Sequence, residues 1–483
     1  MKTAASPGDR PRPGDQTVAI MWFRRDLRVR DLPALAEAAT GQILPCFIFD
    51  DRLISGGRFV SPARVSFMVD CVRELRASLR DLGADLLVRR GLPEQILPEL
   101  ARDTDANRVD WTADVSPWAL GRDRRVEQSL GHDGVDCHRH PGSYIVDEPG
   151  VIRSGQGTPY TVFSPFAKAW RTVERRPVEP VPDRLDLAGQ LDPGPIPTLE
   201  DLGLKAPQDA VPFRPGEQAG REAAHAFLEE GLASYADHRN SPAGGSSMLS
   251  PYIRWGCLSP LELEHELGLG SGEGPRVFRS ELAWREFYAA VLAEFPEVTE
   301  REFQPRYRGT LDWQHDDELL ESWKRGQTGY PLIDAGMRQL LGQHWMHNRV
   351  RMVVASFLTK DLHLDWRLGE SWFMEQLIDG DIASNNGGWQ WVTSVGTDPA
   401  PYFQRMFNPM TQQERFDPAG EYVRRWVPEL ARVSADRLVR PWLMSPEEQG
   451  AAGCRIGSDY PEPVVDHAEE RRFAIERYRA AVE

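Results

Sequence analysis

Residues 17–28 read TVAIMWFRRDLR, an unbroken apolar run that ends in Arg24-Arg25-Asp26-Leu27-Arg28. An apolar stretch without period-two alternation suits a strand buried on both faces, as in a parallel sheet flanked by helices. Outward from it, further apolar runs fall at 43–50, 85–89, 108–113 and, less apolar, 135–140, with helical patterns at 32–39, 63–82, 94–103 and 122–130 between them. That alternation predicts a doubly wound, Rossmann-like parallel sheet. The turn after the first strand limits its use. An ordinary dinucleotide site needs a Gly-rich turn where this chain has arginines, and the nearest Gly-rich run, 268–273, lacks the third glycine and follows no strand. The main cofactor is therefore expected elsewhere.

The remainder is organised differently. Residues 175–216 are dense in Pro and Asp without a sustained period, and 218–480 are helical by pattern. The expected fold class is α/β plus all-α: a disordered N-terminus (1–15), an α/β domain (16–145), an interdomain linker (146–217) and a helical domain (218–483). The polar, Pro/Gly-rich start has no leader-like apolar core, and no apolar run is long enough to span a bilayer. A soluble, cytoplasmic monomer is expected. Five scattered cysteines without a CxxC pair suit reduced thiols, and no metal site is expected. A formal charge of −16 argues against a surface coated with nucleic acid, so any DNA contact must use a local basic patch. Of the 15 Trp, 11 lie beyond residue 250, which points to stacking or redox work in the helical domain.

Residues 379–391, DGDIASNNGGWQW, place two carboxylates, two adjacent amides, two glycines and two indoles in one short segment. A packed core has little use for that mixture, because buried Asp and Asn need partners and Gly387 and Gly388 weaken a regular element. A planar, heteroatom-rich ligand accounts for all of it, and a flavin fits best. Upstream, NSPAGGSS (240–247) runs into Met248-Leu249-Ser250, where backbone N–H groups and hydroxyls suit a pyrophosphate. In SELAWREFY, Glu281, Trp284, Arg285 and Tyr288 fall at helical spacing on one face. In GQHWMHNRVRM, His344, Asn348, Arg351 and Met352 are likewise expected on one helix face, with His347 beside it.

These segments, with MWFRRDLRVRD near the N-terminus and FNPMTQ near the C-terminus, resemble the photolyase/cryptochrome family in order and spacing, most closely class I cyclobutane pyrimidine dimer (CPD) photolyases. The resemblance implies FAD in the helical domain and light-driven repair of ultraviolet-damaged DNA. In that activity, a carbon–carbon lyase reaction, electron transfer dependent on FADH⁻ splits pyrimidine dimers. It implies cofactor contacts from Tyr235, Ser246, Ser247, Met248, Leu249, Ser250, Arg351, Asp379, Gly380, Asp381 and Asn385. Glu281, Asn348 and Met352 bound the lesion, and Asn385 faces flavin N5. Arg239, Trp284, Arg285, Tyr288, Trp391 and Gln412 complete the substrate and DNA contacts, and Arg254, Lys360 and Arg405 are further candidates for a basic surface. Trp389, Trp366 and Trp313 match the family's electron-transfer chain. His347-Asn348 stands where (6-4) photolyases carry a His-His pair, which favours CPD repair.

For an antenna, Ala119 and Glu300 stand where folate-binding relatives have Glu and Lys, so folate is disfavoured. Arg52 and Arg254 lie near positions that deazaflavin-binding members use, although Ser116 replaces an expected acid. An 8-hydroxy-5-deazaflavin is therefore favoured, with no antenna as the next reading. The rival function is a cryptochrome-type blue-light receptor without repair activity; Asn385, where plant members have Asp and insect members Cys, argues for repair. A flavin-free DNA-binding module would leave residues 379–391 without a purpose.

Overall fold

The computed structural model describes residues 17–207, 209, 211–268 and 272–482. The stretch read as a disordered N-terminus lies outside the described residues, as does part of the 268–273 run. Strands β1 (Val18–Phe23), β2 (Gln42–Phe49), β3 (Leu87–Arg90), β4 (Arg108–Thr112) and β5 (Asp136–His140) form a parallel sheet in the order β3-β2-β1-β4-β5. A short β6 (Asp186–Leu187) pairs with β2 below β3. β1 is buried along its whole length, because helices cover both faces of the sheet. On one face Val18, Ile20 and Trp22 pack with Trp111, Val126 and Leu130. On the other, Ala19, Met21 and Phe23 enter a core shared with the helix Pro62–Asp81 and with helical-domain residues such as Tyr252, Trp255 and Phe287. One core thus runs through both parts of the chain.

The arginine-rich turn after β1 makes that junction. Leu27 N–H donates to the Trp255 carbonyl at 3.1 Å. The Arg28 guanidinium donates to the carbonyls of Gly256 (3.1 Å), Asp31 (2.7 Å) and Gly142 (2.8 Å). Gly256 sits at φ +66 against the backbone of Arg25 and Asp26, where a Cβ would collide. The switch point of the sheet, between β1 and β4, is where a doubly wound fold ordinarily receives its ligand. Here it receives the helical domain, which explains why arginines occupy the place of glycines.

Residues 146–217 are more structured than their composition suggests. They carry the helix Phe163–Trp170, whose Trp170 is fully buried with its indole N–H on Glu286 at 2.7 Å, as well as β6. The helical domain centres on Ile382–Thr393, which packs against Glu273–Glu294, Asn348–Lys360 and Trp366–Gln376. A second core, from Leu320 to Tyr460, surrounds it. Among the described residues no helix is long and apolar enough to cross a membrane.

Candidate functional site

The helix Ile382–Thr393 organises the site. Asp381 caps it, accepting from Ser384 N–H at 3.1 Å. Ala383, Asn386, Trp389 and Gln390 are buried, whereas Asp381, Ser384, Asn385 and Gly388 are half-exposed along the opposite stripe. The two glycines do different work. A Cβ on Gly387 would collide with the Tyr288 ring, so Gly387 serves the packing of two helices. A Cβ on Gly388 would meet open space, so that glycine lies on a face free for a ligand. Asn385 donates its amide N–H to the Glu370 carbonyl at 3.0 Å, while Asn386 is buried between Val298 and Glu370 and is purely structural.

Beside this stripe, Asp379 accepts from Ser250 Oγ at 2.6 Å and Arg351 at 2.8 Å, and Ser250 in turn accepts from Trp345 Nε1 at 3.2 Å. The other Asp379 oxygen is buried without a partner. Arg254 donates Nε to the Gly380 carbonyl at 2.6 Å and keeps one buried nitrogen unpaired. Burial, with Arg25 nearby, pulls the Arg254 pKa down to about 9. Burial opposes the charge of Asp381, yet Arg25, 3.1 Å away, and Arg254 hold its carboxyl below the usual range. Unpaired atoms on Asp379, Arg254, Arg285, Trp389 and Gln412 are uncommon in a finished core and fit residues that hold a bound polar group. Ser246 caps locally onto Met248 N–H at 3.3 Å, and Met248 adopts φ +53; both lie with Ser247 and the buried Leu249 in the loop before Ser250–Trp255.

A second group gathers around Glu281 and Trp284. Arg239 pairs with Glu281, whose carboxyl is pushed up by burial and held back by that arginine. Tyr235 packs among Phe227 and Phe278 beside them. Trp284 stacks on Phe163 (3.7 Å, 6°), which covers one of its faces. Tyr288 lies 5.5 Å from Trp284. Trp391 donates Nε1 to Asp398 at 3.2 Å, and Arg405 covers its ring at 3.7 Å. Asn348 is exposed, with Met352 Sδ 3.9 Å from its amide, at the start of Asn348–Lys360.

Several expectations are corrected. His344 shares no helix with Asn348: it ends Pro331–Gln343 in a left-handed conformation at φ +53, and the next helix begins only at Asn348. His347 caps that helix, accepting from Arg349 N–H at 3.2 Å. Lys360 is no surface cation, since its buried ammonium donates to the carbonyls of Val392 and Arg405, both at 2.8 Å. Arg405 is buried over Trp391, and Arg254 faces the domain junction. Arg285 turns to the Tyr144 ring, 4.9 Å away, because the α/β domain covers its side of the helix. The basic groups grouped with Arg239 are Arg349 and Arg415; burial, then the charges of Arg239 and Arg415, lower the pKa of Arg349. Arg349 donates to Asn240 at 2.8 Å and lies 4.8 Å over Phe416. It stands inside GQHWMHNRVRM, where helical spacing alone points to its neighbours.

Trp389 is buried on Gly369, and Trp366 is fully buried with Nε1 on Glu302 at 3.2 Å. Trp313 is part-exposed beneath Arg477, and its neighbour Gln314 donates to the His363 carbonyl at 2.9 Å, three residues before Trp366. Burial therefore falls from the first two indoles to the third.

A cavity of about 510 Å³ separates the α/β domain from this site. Phe49, Arg52, Ser116, Trp118 and Ala119 line one side, and Arg254, Glu300, Asp381 and Ala383 the other. Arg52 is tied to Asp50 at 2.6 Å and Glu94 at 2.7 Å.

Residues 19–183 match DNA photolyase, and residues 278–480 match the FAD binding domain of DNA photolyase. The chain is 41% identical to the deoxyribodipyrimidine photo-lyase of Halobacterium salinarum, covering 96% of this chain and 99% of that one, and 36% identical to the Escherichia coli protein of that name over 96% and 99%. A class III photolyase from Agrobacterium tumefaciens superposes with a TM-score of 0.90 at 34% identity, covering 99% of each chain. A Synechocystis cryptochrome superposes at 0.88 and 31%, over 95% of this chain and 99% of that one. The chain belongs to the DNA photolyase family.

Proposed function

We propose that the cleft beside Ile382–Thr393 holds FAD and admits a flipped pyrimidine dimer, and that the protein repairs ultraviolet-damaged DNA in light as a deoxyribodipyrimidine photo-lyase. The observation that carries this reading is the coincidence of the open Gly388 stripe with unpaired buried atoms on Asp379 and Arg254. Reduced FAD supplies the photoexcited electron that opens the cyclobutane ring; the protein supplies position and electrostatics.

Arg351, Ser250 and Trp345 fix Asp379, so one carboxylate oxygen is oriented and the other is left for the cofactor. Tyr235, Ser246, Ser247, Met248, Leu249, Gly380 and Asp381 complete the cradle. The Asn385 amide nitrogen is occupied by Glu370, which presents its carbonyl oxygen as an acceptor. Glu281, Asn348, Met352, Trp391 and Trp284 bound the lesion, with Tyr288 and Gln412 behind them. Burial moves the Glu281 carboxyl toward its neutral form and Arg239 opposes it; in the neutral form it would donate a hydrogen bond to a base carbonyl that strengthens as negative charge develops on the dimer. Arg239, Arg349 and Arg415 meet the flanking phosphates. A damaged, poorly stacked pair also costs less to extrude than an intact one. Trp389, Trp366 and Trp313 form the route by which oxidised flavin is reduced.

The interdomain cavity suits an antenna. Arg52, Arg254, Ala119 and Glu300 all line it, so an anionic deazaflavin meets cations whereas a glutamyl-tailed folate meets a carboxylate. The deciding experiment illuminates reduced protein with oligonucleotides carrying a cyclobutane dimer or a (6-4) product. Recovery of thymine absorbance in the first alone is expected; a flavin-loaded protein that repairs neither is a cryptochrome-type receptor.

A further inference from the structure

On the far edge of the sheet, away from the flavin cleft, β5 carries Cys137-His138-Arg139-His140 beside Asp110 of β4. Strand alternation puts His138 and His140 on one face, two residues apart, and the parallel register sets Asp110 opposite His138. His140 Nε2 lies 2.7 Å and His138 Nδ1 3.8 Å from the same Asp110 oxygen. One atom from each residue falls within 4.8 Å of the other two, and this is the only group of its kind among the described residues.

We propose that Asp110, His138 and His140 form a binding site for a divalent transition metal of the zinc class. Two imidazoles and a carboxylate are a borderline-soft set that zinc accepts at about 2.0–2.2 Å per ligand, leaving a fourth position for water. The carboxylate is already oriented: Arg108 Nε holds its second oxygen at 2.8 Å, as an outer-shell partner of a metal ligand does, and Asp110 is fully buried. His138 is exposed, so an ion has an entry path and one ligand free to swing onto it. The His140–Asp110 hydrogen bond opens as the ion inserts, and the neutral imidazole takes the Nδ1–H tautomer so that Nε2 binds the metal. Scattered cysteines gave no hint of metal, and the site departs from the absence of metal expected from them; the signal in the sequence is the His-x-His on an edge strand. The ion's role is to clip β5, the unprotected edge, to β4.

Equilibrium dialysis of the flavin-loaded full chain against micromolar Zn²⁺, read by elemental analysis, tests it. One equivalent is expected. His138→Ala, at an exposed position that does not threaten the fold, should weaken binding at least about tenfold, and His138→Ala/His140→Ala should abolish it. Hydrogen exchange provides the second reading, with Zn²⁺ slowing the amides of 136–140 in the wild type and not in the double variant. Wild-type chain that takes up no zinc, or a double variant that binds as tightly as wild type, overturns the proposal.

Discussion

Three basic residues of the helical domain illustrate how contact geometry assigns a role that charge counting cannot. Arg405 and Lys360 carry the same formal charge as Arg349, yet both spend their donors on buried carbonyls. Arg349 is part-exposed and sits among like charges, which is the condition an incoming phosphate relieves. Arg349→Ala should weaken binding of damaged and undamaged duplex alike and flatten the log–log salt dependence by roughly one unit, while Lys360→Met should leave that slope unchanged. Fluorescence anisotropy at several salt concentrations measures both, and a slope that responds to Lys360 instead would assign the contact wrongly. At the same scale, Trp313 differs from Trp389 in exposure and should differ in consequence. Trp313→Phe should slow photoreduction of oxidised flavin yet leave repair by chemically reduced protein intact, which flash photolysis and a dimer assay distinguish.

At the scale of elements, the helix Ile382–Thr393 was legible in part. Its composition points to a planar ligand, and its two glycines, expected to weaken any regular element that holds them, both lie within the helix. Sequence could not separate them, because which glycine meets a ring depends on Tyr288, a residue almost a hundred positions earlier. The same limit explains His344. Helical spacing from His344 to Met352 is real, but a left-handed residue at 344 ends one helix before the next begins. The strands of the sheet, by contrast, were readable to within about two residues, since a continuously buried strand writes its burial directly into its composition. The glycine pair offers a test. Gly387→Ala forces a methyl into the Tyr288 ring and should destabilise the protein by about 1–3 kcal/mol. Gly388→Ala adds a methyl to open space and should stabilise the flavin-free protein by about 0.5–1 kcal/mol through helix propensity, while weakening FAD binding. Thermal melts of both forms with flavin titration measure the pair; unchanged FAD affinity in Gly388→Ala would place the cofactor on another face.

Across the whole molecule, the domains are joined by polar devices that only the folded chain reveals, such as Arg28 on the Gly256 carbonyl and Arg64 on the carbonyls of Met374 and Leu377. Acid sensitivity lies inside the helical domain, where buried histidines must stay neutral. His347 accepts at Nδ1 from Arg349 N–H at 3.2 Å, a role that only an unprotonated Nδ1 can fill. Burial, then Arg351 and Arg349, pull its pKa down to about 4. An unfolded chain has an ordinary histidine near 6.5, so between that value and about 4 the unfolded state binds the extra proton. The contribution of His347 to stability is therefore complete above pH 6.5 and is lost as pH falls through the window. His363, lowered to about 3 by burial and Arg477, adds in the same direction. His347→Asn keeps a capping side chain and removes the titration. Denaturation midpoints from pH 4.5 to 6.5 should fall less steeply in this variant, by up to about 1.4 kcal/mol per pH unit, the limit for one proton. Parallel profiles for the two proteins would show that the ring is already charged in the native state.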